Sequence, residues 1–247
     1  MKLENKVAVV TGASTGIGRV IAAAFAKEGV FVHLIARSPD RLEKTNEIIT
    51  AAGGKATIHL ADLSNLDSIN TLITELKSQI NRLDIIANIA GVWHGENEVY
   101  SGKDFETFTQ TVILDTYSVG LTAPTLLIHA LIPSMPKNGK IINLSGTFEN
   151  GAKGWLPYYV SKRAIEDLTI GLSEELRDKD IQVNGISPSD TATEAYRHYF
   201  PQYINEAIAP EKIASHAVYL CTDEANSITG KIFVLKKDQE PVEAFHY

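Results

Sequence analysis

Seven short apolar runs, rich in β-branched residues, recur along the sequence: VAVV (7–10), VFVHLIA (30–36), KATIHLA (55–61), LDIIANIA (83–90), GKIINLS (139–145), IQVNGIS (181–187) and KIFVLK (231–236). Strands that are apolar almost without a break are what a parallel sheet covered on both faces demands. Stretches of helical period fill the gaps, at roughly 17–28, 39–52, 65–81, 104–133, 155–179 and 210–222. Ser38-Pro39 and Ser64 stand where helix caps belong, and Gly29 and Gly53 where helices should stop. Strand and helix alternate over all 247 residues without a composition shift, a Ser/Gly linker or a repeat. The pattern predicts one α/β domain, 1–247, doubly wound around a mostly parallel seven-stranded sheet.

Charge narrows the partners. With 23 Lys and Arg against 30 Asp and Glu, the net charge is −7, which repels nucleic acid and anionic membranes at long range. The single cysteine, Cys221, forms no internal disulfide and points to a reducing compartment. The apolar run at 7–10 is too short for a signal core, and no run reads as membrane-spanning. The expectation is a cytoplasmic enzyme or binding protein.

After the first run comes Thr11-Gly12-Ala13-Ser14-Thr15-Gly16-Ile17-Gly18, which opens the first helix. Glycines in that place allow a tight turn, let backbone approach a pyrophosphate, and leave room for helix against strand. The phosphates then lie on free N–H groups at a helix N-terminus. Further on, Tyr158-Tyr159-Val160-Ser161-Lys162 carries two candidate pairs. Positions four apart share a helix face, so Tyr158 faces Lys162 and Tyr159 faces Arg163. A phenol with a pKa near ~10 is a sluggish proton donor at neutral pH, and a nearby ammonium lowers that value.

The chain resembles the short-chain dehydrogenase/reductase family over nearly its whole length. The resemblance rests on TGASTGIG at 11–18, AD at 61–62, NIAG at 88–91, YYVSK at 158–162, VNGISP at 183–188 and ITGK at 228–231, in that order. It implies a Rossmann-like fold and an NADP(H)-dependent reduction of a carbonyl compound, or the reverse oxidation of an alcohol. The Tyr-x-x-x-Lys motif selects Tyr158 as general acid/base and Lys162 as the group that tunes it and holds cofactor, leaving Tyr159 to packing. Gly12, Ser14, Thr15, Gly16, Ile17 and Gly18 would cradle the pyrophosphate. Ala36 replaces the aspartate of NAD-preferring members, and Arg37 with Ser38 would hold a 2′-phosphate. Asp62 and Leu63 would border the adenine, and Asn88, Ala90 and Gly91 the adenosine half. Pro188, Thr191 and Thr193 would flank the nicotinamide carboxamide.

Two places depart from the family pattern. Counting thirteen residues back from Tyr158 selects Ser145 as the serine that binds the substrate carbonyl. Aligning GKIINLSG to the usual strand ending instead puts Gly146 there; Ser145 is favoured, with Thr147 as a fallback. Gly120 stands in the place of the helix asparagine that holds a relay water. The segment 190–209, with Tyr196, Tyr199, Phe200 and Tyr203, resembles the substrate lid. Its rings suit either an apolar, ring-bearing substrate or simple packing. Trp93, His94 and the polar stretch to Lys103 follow the fourth strand, where sheet topology places ligands; His94 could touch substrate, although a lone loop histidine is more often solvated. No spacing suits a metal. The family implies a homodimer or homotetramer, for which the apolar stretch 121–132 would serve. A cofactor-binding sensor with weakened chemistry is the rival to the enzyme.

Overall fold

The structure, a computed structural model, describes residues 1–95 and 98–247. All seven runs become strands: β1 (Val7–Thr11), β2 (Phe31–Ala36), β3 (Lys55–Leu60), β4 (Ile85–Asn88), β5 (Lys140–Leu144), β6 (Gln182–Pro188) and β7 (Lys231–Leu235). They pair in parallel in the order β3-β2-β1-β4-β5-β6-β7. The strand order reverses between β1 and β4, which opens a crevice at the C-terminal strand ends. An eighth strand, β8 (Val242–Glu243), pairs antiparallel with β7, correcting the expected seven. Two exposed residues in a polar tail carry too little periodicity to be read from sequence.

Adjacent strand residues face opposite sides of a sheet, and here both sides are buried. Ala8 and Val10 join the core under α1 (Gly16–Lys27), α2 (Pro39–Ala51) and α8 (Pro210–Leu220). Val9, between them, joins the core under α3 (Leu66–Gln79) and α5 (Ala123–Leu131) on the other face. That two-sided burial is why the strands read as unbroken apolar runs. Helix ends follow local chemistry. Asn65, not Ser64, caps α3 by accepting the Ser68 N–H, because the Ser64 hydroxyl is committed to Asp62. Ser38 precedes α2 but makes no side-chain cap bond.

The expected helix at 104–133 is broken. A 3-10 turn (Phe105–Thr107) comes first, then Thr109 caps α4 (Gln110–Tyr117) by accepting the Val112 N–H. A π-helical turn, Ser118–Thr122, joins α4 to α5. The helical run Gln110–Ser134 spans 25 residues and contains an 18-residue window of mean hydropathy 1.3, long and apolar enough to cross a membrane by length and composition. The expected absence of such a run is corrected, although here it lies as a layer against α3 and α6 (Leu156–Glu175).

Gly120 sits in the π turn, buried against α6. A Cβ there would lie 2.8 Å from Ser161 Cβ and 3.1 Å from its Oγ. The close approach of the two helices therefore requires glycine. Gly120→Asn is expected to destabilise the fold by about 1–3 kcal/mol through overpacking. A lowered urea midpoint, recovered by adding Ser161→Gly, checks this.

Candidate active site

β1 delivers its glycine loop to the crevice, and sterics dictate the loop's shape. Gly12 has φ +68°, and a Cβ on it would lie 2.9 Å from Ala90 Cα. A Cβ on Gly18 would lie 2.2 Å from the Gly12 carbonyl oxygen, so the first turn of α1 closes over the loop only with glycine there. Thr15 offers no side-chain cap to α1, and the first N–H groups of an uncapped helix are left without intrahelical partners. Ser14, Thr15, Gly16 and Ile17 line that helix end. Arg19 braces the loop from outside: it donates to the Ser14 carbonyl (2.5 Å) and Thr45 Oγ1 (3.2 Å) and pairs with Glu194 (2.8 Å). Thr45 in turn donates to the Ala13 carbonyl at 2.9 Å.

The neighbouring strand ends add polar groups. Arg37 is exposed beyond β2, next to Ser38, and makes no ion pair among the described residues. Burial opposes the charge on Asp62, but the N–H and hydroxyl of Ser64 and the nearby Arg37 outweigh it and hold the carboxyl below its ordinary value. Leu63 is buried, its carbonyl accepting from Ser118. The N–H groups of Ile89 and Ala90 donate to Thr11 Oγ1. Asn88 donates to Asn143, which donates to Thr169. The Oδ1 of Asn88 and the Oγ of Ser187 are buried without a partner among the described residues. Pro188 ends β6 and accepts the Thr147 N–H. Thr191 binds back to Ser189, and Thr193 caps α7 (Glu194–Tyr199) beside Gly16.

Tyr158 and Lys162 share the first turns of α6. Lys162 Nζ lies 5.5 Å from the Tyr158 ring centroid and donates to the Leu144 carbonyl at 2.8 Å. It passes beside Gly91, where a Cβ would lie 3.3 Å from Nζ. Burial lowers the Lys162 pKa to about 8, against a smaller opposing pull from Glu166. Burial, aided by the charge of Asp190, raises Tyr158 above the ordinary phenol value. The direction is opposite to that expected from a neighbouring ammonium: desolvation dominates, and Nζ faces the ring and a carbonyl. The second pair has a separate use. The Arg163 guanidinium sits 5.2 Å from the Tyr159 ring centroid and 5.1 Å from that of Phe148, as packing.

Ser145 is buried at the end of β5, and its hydroxyl is spent on α6. It donates to the Lys162 carbonyl (3.1 Å) and to Glu166 Oε1 (2.5 Å). The position that faces the Tyr158 hydroxyl is Gly146, where a Cβ would lie 3.9 Å away. Glu166, fully buried, also takes the Arg163 guanidinium (3.1 Å) and the His246 N–H (2.8 Å). Glu166 went unread in the sequence, although it stands four residues after Lys162 on the same helix face. Thr147 binds through its backbone to β6.

The family model of short chain dehydrogenases matches residues 6–203. The chain belongs to that family. An uncharacterized oxidoreductase of Methylorubrum extorquens is 31% identical over 245 residues, covering 94% of this chain and 96% of its own. The promiscuous reductase LugOII, which catalyses keto-reduction at C1 during lugdunomycin biosynthesis, superposes with TM-score 0.85 at 28% identity, over 95% of this chain and 97% of its own. The landomycin C-6 ketoreductase LanV, solved with NADP and rabelomycin, gives TM-score 0.82 at 28% identity, over 94% and 95%.

Over the Tyr158 end of the site, this short-chain dehydrogenase carries a cluster of rings. Trp93 stacks on Trp155 (centroids 6.2 Å, planes 8° apart) and on Tyr196 (5.9 Å, 15°). Trp155 continues to Tyr158 at 6.2 Å. Tyr199 ties the 190–209 segment down by donating to the Gly95 carbonyl at 2.7 Å. His94 lies inside this cluster, and burial lowers its pKa to about 4, so it is not the solvated residue expected. Trp155 went unread too, since Trp93 and His94, which it packs against, are far away in sequence. Among the described residues no group of three or more His, Cys, Asp or Glu is arranged to hold a metal.

Ser145→Ala removes a donor from a buried carboxylate, which costs about 1–3 kcal/mol. A lower thermal midpoint with the affinity for a nicotinamide dinucleotide unchanged is the expected result, measured by calorimetry and a binding titration.

Proposed function

We propose that the protein is an NADPH-dependent carbonyl reductase, able to run in reverse as an alcohol dehydrogenase, with Tyr158 as general acid/base. The observation that carries this is the juxtaposition of Tyr158, Lys162 and Gly91 at the strand ends that also hold the glycine loop. The crevice suits a dinucleotide. Its cradle admits no Cβ at Gly12 or Gly18, an uncapped helix end faces it, and buried Asn88 Oδ1 and Ser187 Oγ lack partners among the described residues. When bound, the nicotinamide supplies the hydride.

Each residue then has a defined task. Gly12, Ser14, Thr15, Gly16, Ile17 and Gly18 would receive the pyrophosphate on backbone N–H groups. Arg37 and Ser38 would hold the 2′-phosphate, and Asp62, Leu63, Asn88, Ala90 and Gly91 the adenosine half. Pro188, Thr191 and Thr193 would position the carboxamide. Lys162 has one N–H on Leu144, leaving two donors for nucleotide hydroxyls. A phenol whose pKa is raised stays protonated at neutral pH and is a weaker acid, so Tyr158 would hold the proton for a carbonyl oxygen and release it only as positive charge of the bound cofactor and of Lys162 is brought to bear. Ser145, whose hydroxyl is spent on the Lys162 carbonyl and Glu166, would support α6 rather than bind the carbonyl. The segment 190–209 acts as the lid. Exposed Leu114 on α4, with the half-buried Ile132, Leu168 and Leu172 along the α5–α6 groove, is the surface a second copy would cover in a dimer or tetramer.

The bare positions Gly146 and Gly120 support a second reading, a protein that binds NADP(H) as a sensor with weakened chemistry. A panel of aldehydes, ketones and acyl thioesters separates the two: tight NADPH binding without oxidation of it on any compound favours the sensor.

Tyr158→Phe is expected to lower kcat at least ~100-fold while NADPH affinity changes less than about threefold. In the native protein, kcat/KM for reduction is expected to fall as pH rises through about 8, where Lys162 loses its charge. Arg37→Ala is expected to weaken NADPH at least ~tenfold and leave NADH nearly unchanged, since only NADPH carries the phosphate this guanidinium would pair. Equal losses for both coenzymes would remove Arg37 from that role.

A further inference from the structure

We infer that the ring cluster beside Tyr158 is a specificity site for an uncharged, flat, ring-bearing carbonyl compound, and that His94 Nε2 donates a hydrogen bond to a second oxygen on that compound. The inference deepens the reductase reading and rests on it for the position of the reacting carbonyl.

The donor assignment comes from the hydrogen bonds. Tyr100 N–H donates to His94 Nδ1 at 2.9 Å, so a neutral His94 carries its proton on Nε2. That nitrogen is buried and has no partner among the described residues. An unmet buried N–H is costly, and most find an acceptor. Trp93, Trp155 and Phe200, with ring centroids 4.1, 5.4 and 5.8 Å from that of His94, offer no acceptor, and neither the Tyr199 hydroxyl, which donates to the Gly95 carbonyl, nor that of Tyr100 bonds to Nε2. A ligand oxygen reaching into this cluster would satisfy the donor.

Shape and charge define the ligand further. The nearly parallel rings of Tyr196, Trp93 and Trp155 stack into an aromatic wall whose Trp155 end meets Tyr158. Such faces favour offset stacking against another aromatic plane, beyond area burial alone. Asp190 acts on both Tyr158 and Tyr196 through its charge, which disfavours an anionic ligand at this wall. Discrimination by an apolar wall is modest, whereas a buried donor left unpaired rejects analogues lacking the acceptor more strongly.

The sequence contains two tryptophans, and both lie in the wall, so intrinsic tryptophan emission reports directly on its occupancy. The probes are 2-tetralone, its saturated analogue 2-decalone, and 6-methoxy-2-tetralone, whose ether oxygen only accepts hydrogen bonds. Each is titrated into the NADPH-loaded Tyr158→Phe protein, and NADPH oxidation is followed in the native protein. Quenching is expected to show 6-methoxy-2-tetralone binding at least ~fivefold tighter than 2-tetralone, with 2-decalone weakest. His94→Phe should erase the methoxy advantage and spare 2-tetralone, and His94→Gln should keep part of it. Equal affinities for the three probes, or an advantage that survives in His94→Phe, would overturn the site. Ordered quenching without NADPH oxidation in the native protein would uphold the site and remove the reductase reading. Oxidation of NADPH with all three probes at equal kcat/KM would do the opposite.

Discussion

The end of α6 is fastened to the end of β5 by an exchange of hydrogen bonds between consecutive residues. The Leu144 carbonyl takes the Lys162 ammonium, and the Lys162 carbonyl takes the Ser145 hydroxyl. Both side chains are almost wholly buried, so water cannot compete for either contact. The turn that bears Tyr158 is thereby fixed against the strand ends, and with it everything that meets Tyr158: Phe148, Trp155 and the position of Gly146. A slip of α6 by one residue would break both bonds at once.

The same dryness sets the protonation states. Burial works against charge on a phenol and on an ammonium alike, pushing one pKa up and the other down. Two groups that sequence spacing presents as an ion-tuned pair are in the fold two groups that share a desolvated pocket. Their electrostatic coupling depends on what else enters the crevice to carry charge.

Much of the fold was legible because the sheet is covered on both faces, which writes itself into sequence as uninterrupted β-branched runs. Boundaries drifted where side chains overrode periodicity: Thr109 restarts the fourth helix inside a stretch that reads as continuous, and Asn65 takes the cap from Ser64. β8 was invisible because pairing with β7, rather than its own pattern, makes it a strand. In the site, the glycine loop and the Tyr158–Lys162 spacing could be read because both are local. Ser145 against Gly146 could not be resolved by counting, since a one-residue ambiguity in a strand reverses which face a side chain takes. His94 was misread for a related reason. Its burial is made by Trp155, Tyr199 and Phe200, which reach it from segments about 60 and 105 residues further along, a contact that local pattern does not reveal.

The Glu166 carboxylate draws its donors from three separated stretches: Ser145 at the strand end, Arg163 on its own helix, and the backbone of His246, 80 residues further on. Tyr247 holds the same arginine through its main-chain oxygen. A buried anion of this kind is tolerated only when its set of donors is complete. Without that distant segment the carboxylate would keep Ser145 and Arg163 but lose the backbone donor of His246. A nick ahead of residue 246 would therefore leave Glu166 short of a donor and loosen α6 from a place that never touches Tyr158.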